Sequence, residues 1–215
     1  MPALPDTAPQ WLFIDADLLV VDKPSGMLSV PGRSEPDCMA ARVQAHVADA
    51  LVVHRLDMAT SGLMLFARGK TMQQHLSRAF ARREVHKRYV AVVHGLMQHS
   101  AGEINLPLAA DWPQRPRQKV DHELGKPALT RYQVLARDST HGTTRVALEP
   151  VTGRSHQLRV HMLALGHPIL GDALYAPGDV QAKSPRLMLH AQSLALTHPR
   201  TGHELRISQD PPFAS

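Results

Sequence analysis

The tetrapeptide His54-Arg55-Leu56-Asp57 lies between two apolar segments, Leu51-Val52-Val53 and Leu63-Met64-Leu65-Phe66-Ala67. Short apolar runs that are bounded by polar and turn-forming residues predict buried β-strands. Thr60-Ser61-Gly62 supplies turn residues between Asp57 and the second run. The pattern therefore predicts a polar loop held between two strands, and such rigid placement is what a catalytic carboxylate requires.

Asp57 by itself is open to two interpretations. As a structural residue, it would cap the loop and form a salt bridge with a nearby arginine. As a functional residue, it would be the reactive carboxylate of a polar cluster. The tetrapeptide does not distinguish these roles, so the rest of the sequence has to decide between them.

Hydrophobic patterns on both sides of this loop predict a mixed α+β fold, with a largely antiparallel sheet and flanking helices. Helices are predicted at residues 38–50, 70–83 and 156–165, the last with Leu158, Met162 and Leu165 as its buried stripe. Strands are predicted at residues 11–14, 18–21, 63–67, 89–93, 128–135, 144–148, 187–196 and 204–207. Residues 1–10 are predicted to be a flexible tail, and residues 11–215 one folded domain.

The composition is that of a folded protein with a positive surface. The chain has 215 residues, of which 43% are hydrophobic and 20% charged, and a net charge of +5 with neutral histidines. This charge favours a polyanionic partner such as nucleic acid, although basic proteins without such a partner are common. A single cysteine, Cys38, excludes an internal disulfide and fits a reducing, cytoplasmic location. We expect no membrane partner, because no signal-peptide pattern or membrane-length apolar segment is present.

Positive charge is concentrated in two stretches of the sequence. The first lies on the polar side of the predicted helix at 70–83 and continues beyond its end, with no matching run of acids. This favours a phosphate-contacting surface over a merely solvated helix face. The second is a proline-rich segment from Trp112 to Lys119, predicted to lack regular structure, which fits either RNA binding or a mobile surface loop. Their basic residues are Arg78, Arg82, Arg83, Lys87, Arg88, Arg115, Arg117 and Lys119.

Metal and nucleotide cofactors are not indicated by the motifs. The chain has fourteen histidines but no His-Glu-x-x-His sequence, and His156 and His161 are five residues apart rather than four. Thiolate ligands for a zinc site are lacking as well. Neither a Walker A motif nor a Gly-x-Gly-x-x-Gly loop occurs. We therefore expect neither metal nor nucleotide chemistry.

Segments along nearly the whole chain resemble, in order and spacing, the RluA family of pseudouridine synthases. They are Asp22-Lys23-Pro24-Ser25-Gly26-Met27, the His54 to Ala67 block, Lys87-Arg88-Tyr89-Val90-Ala91, Gly153-Arg154-Ser155-His156-Gln157-Leu158-Arg159-Val160-His161, and Gly166-His167-Pro168-Ile169-Leu170-Gly171-Asp172. Residues 28–33 and 106–120 are most similar to the members that act on both 23S rRNA and tRNA. Like those members, the chain is expected to lack an S4-type RNA-binding domain.

The resemblance implies an RNA isomerase that converts an extruded uridine to pseudouridine without any cofactor. It makes Asp57 the catalytic aspartate and Arg159 the cation that keeps Asp57 ionised. Tyr89 corresponds to the family's active-site tyrosine, whose ring stacks on the base and whose hydroxyl can assist proton removal from C5. Arg55 corresponds to the side chain that takes the place of the extruded nucleotide in the RNA stack.

The predicted RNA partners are a 23S rRNA hairpin and the tRNA anticodon stem-loop, bound by a monomer. The residues predicted to contact RNA are Arg33, His54, Arg55, Arg82, Arg83, Lys87, Arg115, Arg117, Lys119 and Arg154. Three alternatives stay open: a catalytically silent RNA-binding module, a hydrolase that releases free uracil, and a synthase for a different RNA. The sequence also leaves open whether Asp57 attacks C1′ or removes a proton from C2′.

Overall fold

The computed structural model describes residues 8–213. Its strands are β1 (Gln10–Ile14), β2 (Leu18–Lys23), β3 (Ala50–Val52), β4 (Ser61–Arg68), β5 (His86–His94), β6 (Ala101–Asn105), β7 (Leu108–Ala110), β8 (Gln118–Val120), β9 (Leu129–Asp138), β10 (Thr143–Pro150), β11 (Leu189–Thr197) and β12 (Glu204–Ser208). Its helices are α1 (Met39–His46), α2 (Gly69–Ala81), α3 (Gln157–Ala164) and α4 (Gly178–Gln181), with a 3-10 turn at Trp112–Gln114.

The chain divides into two compact units. Unit 1 consists of the described residues up to His86 together with Ala191–Pro211, and unit 2 consists of Lys87–His190 with the C-terminal residues from Pro212. The predicted tail at 1–10 lies mostly outside the described residues, and its last residue, Gln10, already belongs to β1. The assignment of residues 11–215 to one catalytic domain stays a prediction.

Unit 1 is built on antiparallel strands, of which β2 and β4 are buried on both faces. β2 pairs with β1 on one side and β4 on the other, and β3 also pairs with β4. Alternate residues of β2 and β4 therefore enter different apolar clusters: Leu65 packs with Leu76 of α2, whereas Phe66 packs with Val43 of α1. This double coverage explains why both strands are almost continuously apolar in sequence.

Gly62 has a specific steric function at the start of β4. Its φ is +114°, and a Cβ on this residue would lie 2.4 Å from the backbone oxygen of Ala191 in β11. A side chain would therefore collide with neighbouring backbone and would adopt a disfavoured backbone conformation. The glycine fixes the close approach of the two strands immediately after the Asp57 loop.

Unit 2 has an antiparallel sheet and a separate two-stranded ribbon. β10 pairs with β5 on one side and β9 on the other, β6 pairs with β9, and β7 pairs with β8. Helix α3 packs through Val160 on an apolar cluster that includes Leu108 and Tyr175. Both units thus confirm the predicted mixed fold with largely antiparallel strands and flanking helices.

Three local predictions were wrong. Helix α1 ends at His46 rather than residue 50, because Ala50–Val52 instead pairs with β4 as β3. The segment from Trp112 to Lys119 is not wholly irregular, since it contains a 3-10 turn at Trp112–Gln114 and its last two residues belong to β8, which pairs with β7. Leu165 lies outside α3 and is 40% exposed, whereas residues 157–162 are all buried. In each case tertiary pairing or packing overrides the local pattern.

Among residues 8–213, no helix has the length and apolar character needed to cross a membrane.

Candidate active site

A buried lysine holds the Asp57 loop in place through hydrogen bonds. The Lys23 side chain is fully buried, and its Nζ donates hydrogen bonds to the backbone oxygens of Pro24 at 2.8 Å, Met27 at 2.8 Å and Met58 at 3.1 Å. An ammonium group has three donors, so three carbonyls can compensate for its loss of hydration. Because Met58 follows Asp57 directly, this arrangement fixes the loop at the position of the carboxylate.

Two serines complete the attachment of the loop on either side of Asp57. The Ser25 hydroxyl donates to the Ala59 oxygen at 2.7 Å. The buried Ser29 hydroxyl donates to the Leu56 oxygen at 2.7 Å and accepts from the Leu56 amide at 3.0 Å. Residues before and after Asp57 are therefore both hydrogen-bonded to the segment that follows β2, and the backbone carrying the carboxylate has little freedom.

His54 is packed into unit 1 at the start of the same loop. Its Nε2 accepts a hydrogen bond from the Leu65 amide at 2.9 Å, and its ring stacks on Phe80 with centroids 4.8 Å apart. A ring nitrogen that accepts from a backbone N–H carries no proton, so the imidazole is neutral in this arrangement. His54 thus shapes the loop, and its predicted contact with RNA stays a prediction.

The loop presents Asp57 next to two exposed side chains. Asp57 is half-buried, whereas Arg55 is exposed and Met58 is 53% exposed. An arginine that extends from a fixed loop beside a carboxylate can reach a bound polyanion. This placement agrees with the predicted insertion of Arg55 into an RNA stack, which stays a prediction.

Arg159 forms a buried ion pair in unit 2. Its Nε and Nη2 donate to the two carboxylate oxygens of Asp172 at 2.7 and 2.6 Å, and the side chains are only 4% and 1% exposed. Asp172 also accepts from the Leu174 amide at 3.0 Å. The two parallel hydrogen bonds to Asp172 fix the orientation of the Arg159 guanidinium. Its predicted pairing with Asp57 stays a prediction.

Tyr89 and Lys87 lie on the same face of β5. Side chains two residues apart on a strand point to the same side, and Tyr89 pairs in register with Leu148 of β10. Both side chains are half-buried, and burial lowers the pKa of the Lys87 ammonium group. The strand therefore presents an aromatic ring and a cation side by side.

Tyr175 connects several of the predicted site residues of unit 2, and sequence reasoning missed it. Its hydroxyl accepts from the Gln118 amide at 2.8 Å and lies 2.6 Å from Nδ1 of His156. The guanidinium carbons of Arg159 and Arg117 lie 5.0 and 5.4 Å from the centroid of its ring. A tyrosine can fulfil both functions because its ring is apolar and its hydroxyl polar, but nothing in the local sequence indicates these partners.

Gln157 holds the turn that carries Arg154. Its Oε1 accepts from the Thr152 hydroxyl at 2.7 Å and from the Arg154 amide at 3.0 Å, and its Nε2 donates to the Leu129 oxygen at 3.0 Å. Arg154 is exposed, and its Nε donates to the Pro127 oxygen at 3.1 Å. The exposed cation is thus attached to an ordered turn.

The predicted RNA contacts are distributed over both units. Unit 1 carries Asp57 with Arg33, His54, Arg55, Arg82 and Arg83, and unit 2 carries Lys87, Tyr89, Arg115, Arg117, Lys119, Arg154 and Arg159. Arg33, Arg82, Arg83, Arg115 and Lys119 are exposed. Exposed cations of this kind are available to phosphates, although their contacts with RNA stay predictions.

Arg83 occupies a position that usually carries glycine. Its φ is +63°, and the Glu84 amide donates to the Ala79 oxygen at 2.9 Å while the Arg83 amide donates to the Phe80 oxygen at 3.1 Å. These bonds form a Schellman motif, in which the left-handed residue is most often glycine.

We expect Arg83→Gly to raise the free energy of unfolding by roughly 0.5–1 kcal/mol, because glycine removes the left-handed strain. Urea unfolding would measure it. The matched control is Arg82→Gly, at a right-handed position with φ −81°, which should lower stability by roughly 0.5–1 kcal/mol. Equal effects of the two substitutions would contradict this account of Arg83.

One group of side chains in unit 1 has the composition of a metal site. Asp15, Asp17 and His198 present ligand atoms within 4.8 Å of one another. Arg200 forms a bidentate ion pair with Asp17, and His198 Nε2 lies 2.8 Å from Asp15 Oδ2. The His198 Nδ1 accepts from the Arg200 amide at 3.2 Å. Since these side chains already form hydrogen bonds and ion pairs within the group, the group is a polar connection between the β1–β2 and β11–β12 turns.

The Asp17–Arg200 pair predicts an acid-sensitive contribution to stability. Hydrogen bonds from the Arg200 guanidinium hold the pKa of Asp17 below its ordinary value. The contribution is complete above the unfolded-state pKa of about 3.9 and declines as pH falls through the lower folded-state pKa. Urea unfolding should show a stability difference between wild type and Asp17→Asn that is constant above about pH 5 and shrinks below about pH 4. A difference that does not change with pH would contradict it.

Comparison with known proteins identifies the class. The family model described as RNA pseudouridylate synthase matches residues 17–164. Two human structures have a similar fold. RNA Pseudouridylate Synthase Domain Containing 1 has a TM-score of 0.81 and 28% identity, with coverage of 96% of this chain and 84% of that one. RNA Pseudouridylate Synthase Domain Containing 4 has a TM-score of 0.76 and 28% identity, with coverage of 94% of this chain and 88% of that one. The chain belongs to the RNA pseudouridylate synthase family and is an isomerase.

Within this family, the chain is similar to proteins named dual-specificity RNA pseudouridine synthase RluA. The protein of Pasteurella multocida is 54% identical over 201 residues, which cover 93% of this chain and 91% of that protein. The Yersinia pestis protein is 52% identical over 204 residues, or 94% and 98% of the two chains, and the Escherichia coli K12 protein is 52% identical over 200 residues, or 91% of each. The resemblance to the RluA family is thereby confirmed.

Proposed function

We propose that this protein isomerises uridine in two RNAs, a 23S rRNA hairpin and the tRNA anticodon stem-loop, with Asp57 as the catalytic residue. The observation that carries the proposal is the Asp57 loop, in which a half-buried carboxylate lies on backbone held by Lys23, Ser25 and Ser29. The use of two RNA substrates is supported by the words "dual-specificity RNA pseudouridine synthase" in the names of relatives that match this chain over most of their length. The choice of the two RNAs rests on the resemblance of residues 28–33 and 106–120. The site of action would be the cytoplasm, and the active form a monomer.

The reaction needs a positioned carboxylate and an extruded base. The bond from ribose C1′ to uracil N1 breaks, the base rotates, and C5 bonds to C1′. C5 then loses its proton and N1 gains one, so the product has the same atoms as the substrate. Asp57 would act at the ribose, either as a nucleophile on C1′ or as a base at C2′. Tyr89 would stack on the base and assist the proton that leaves C5.

Charge and exposure support the roles proposed for the arginines. Asp172 orients Arg159 through two hydrogen bonds, so the guanidinium is preorganised for a second carboxylate. Pairing with Asp57 would place a cation beside the carboxylate that either chemical role requires. Arg55 is exposed on the catalytic loop and would take the place of the flipped nucleotide.

Tritium release from uracil C5 tests the proposal directly. Wild type and Asp57→Ala would be compared on a labelled tRNA anticodon stem-loop and a labelled 23S rRNA hairpin. Release from both RNAs, without free uracil and with none from the variant, is the expected result. Free uracil would indicate glycosidic hydrolysis, and release from one RNA would restrict the substrate. Release by the variant would overturn the role of Asp57.

A further inference from the structure

The connection between β7 and β8 carries an aromatic residue to which the isomerisation assigns no role. Trp112 is 67% exposed, and the guanidinium carbon of Arg115 lies 3.2 Å from the centroid of one of its rings. This distance places the cation directly over the π-face, where the attraction to the ring is greatest. The high exposure leaves the rest of the indole in contact with solvent.

This aromatic–cation pair stands on an ordered support. The Asp111 amide donates to the Arg117 oxygen at 2.9 Å, closing the turn that contains Trp112, and Arg117 Nη1 donates to Gln114 Oε1 at 2.9 Å. At the base of the turn, the Tyr175 hydroxyl holds the Gln118 amide at 2.8 Å. A preordered aromatic loses little conformational entropy when it binds a ligand.

The charges around Trp112 indicate what kind of ligand it would meet. Arg115 and Lys119 are exposed and Arg117 is half-buried, so three cations lie on a short segment next to the indole. Asp121 approaches one of them, with 3.4 Å between its Oδ2 and Lys119 Nζ. An exposed aromatic among cations is the combination that single-stranded nucleic acids contact, with bases on the ring and phosphates on the cations.

We propose that Trp112, with Arg115 over one ring face, is a stacking platform for an unpaired nucleobase of the RNA substrate. The inference rests on the proposed function for the choice of RNA. Trp112 is then a binding residue that discriminates loops from duplexes, since a paired base offers its face to its neighbours in the helix. It does not touch the reacting atoms.

Fluorescence and binding measurements on the full chain test this platform. The chain has two tryptophans, so Trp11→Phe leaves Trp112 as the only reporter. In this background, an anticodon stem-loop RNA should quench the fluorescence along its binding curve. Trp112→Ala in the native background should raise the dissociation constant for the stem-loop about tenfold. Trp112→Phe should raise it by less than about threefold, because a phenyl ring still stacks. For a paired duplex of equal length, Trp112→Ala should raise the dissociation constant by less than about twofold.

Leu124 supplies the matched control, because it is an apolar residue of the same unit and is 81% exposed. Leu124→Ala should leave the affinity for both RNAs unchanged. A Trp112→Ala protein that binds the stem-loop as well as wild type, or that loses equal affinity for loop and duplex, would overturn the platform. If Trp112→Ala disturbs folding, the fluorescence quenching in the Trp11→Phe protein and the RNA affinity of Trp112→Phe still test the platform. Failure of the proposed function would appear separately, as absence of tritium release by wild type.

Discussion

Asp57→Asn is expected to lower kcat for tritium release by at least about a thousandfold. The amide has the size of the carboxylate but can neither attack C1′ nor accept a proton from C2′. The loop should keep its shape, because Lys23, Ser25 and Ser29 hold it through hydrogen bonds to the backbone of Met58, Ala59 and Leu56. The dissociation constant for the stem-loop RNA should therefore change by less than about threefold.

Single-turnover kinetics would measure the chemical step, and anisotropy with labelled RNA would measure binding. Met58→Ala is a suitable control, since Met58 is the neighbouring exposed side chain and its carbonyl, which Lys23 binds, is retained. Its kcat should stay within about threefold of wild type. Normal turnover by Asp57→Asn would eliminate Asp57 as the catalytic residue, and a comparable loss in Met58→Ala would attribute the effect to loop geometry.

Asp172→Ala is expected to lower the free energy of unfolding by about 3–5 kcal/mol. The substitution leaves the Arg159 guanidinium in a site where it is only 4% exposed and removes the acceptor of two of its hydrogen bonds. A buried charge that loses such a partner keeps its desolvation penalty, which is why breaking one half of a pair is so costly. Arg159→Met in the same chain should recover part of the loss, because the charge is then absent.

Wild type, Asp172→Ala, Arg159→Met and the double variant form a double-mutant cycle. Urea unfolding of these four proteins would measure the coupling between the two side chains. The exposed Arg131–Glu103 pair, with 2.9 Å between Nε and Oε1, is the matched control. Glu103→Ala should cost less than about 1 kcal/mol, because solvent screens an exposed ion pair. Equal losses in Asp172→Ala and Glu103→Ala would show that burial does not set the strength of the Arg159 pair.

The strands with strong apolar patterns could be predicted from the sequence, and the weakly patterned ones could not. β2, β4 and β5 carry near-continuous apolar runs and were placed within a few residues. β6 has only Ile104 buried, so it lacks the periodicity that would distinguish it from a loop, whereas the apolar run Leu51-Val52-Val53 predicted a strand where β3 lies. The conformation of β6 depends on pairing with β9, which is information from a distant part of the chain.

The candidate site could also be predicted from the sequence only in part. The motif around Asp57 was found because its residues are adjacent in sequence. The bonds that hold it, such as Lys23 to Met58, join residues 35 positions apart and could not be inferred from either segment alone. A buried lysine also contradicts the usual preference of that residue for the surface. Asp172 belonged to a recognised segment, yet its pairing with Arg159 depends on tertiary structure.

The burial of Lys23 separates the formal charge of this protein from the charge that an RNA would meet. Its ammonium group is counted in the net charge of +5, but it lies among three carbonyl oxygens with no exposure to solvent. It is therefore withdrawn from counterion exchange and from amine-reactive reagents in the native state. The ionic-strength dependence of RNA affinity should accordingly reflect exposed cations such as Arg55, Arg83 and Lys119, and not the total count of basic residues.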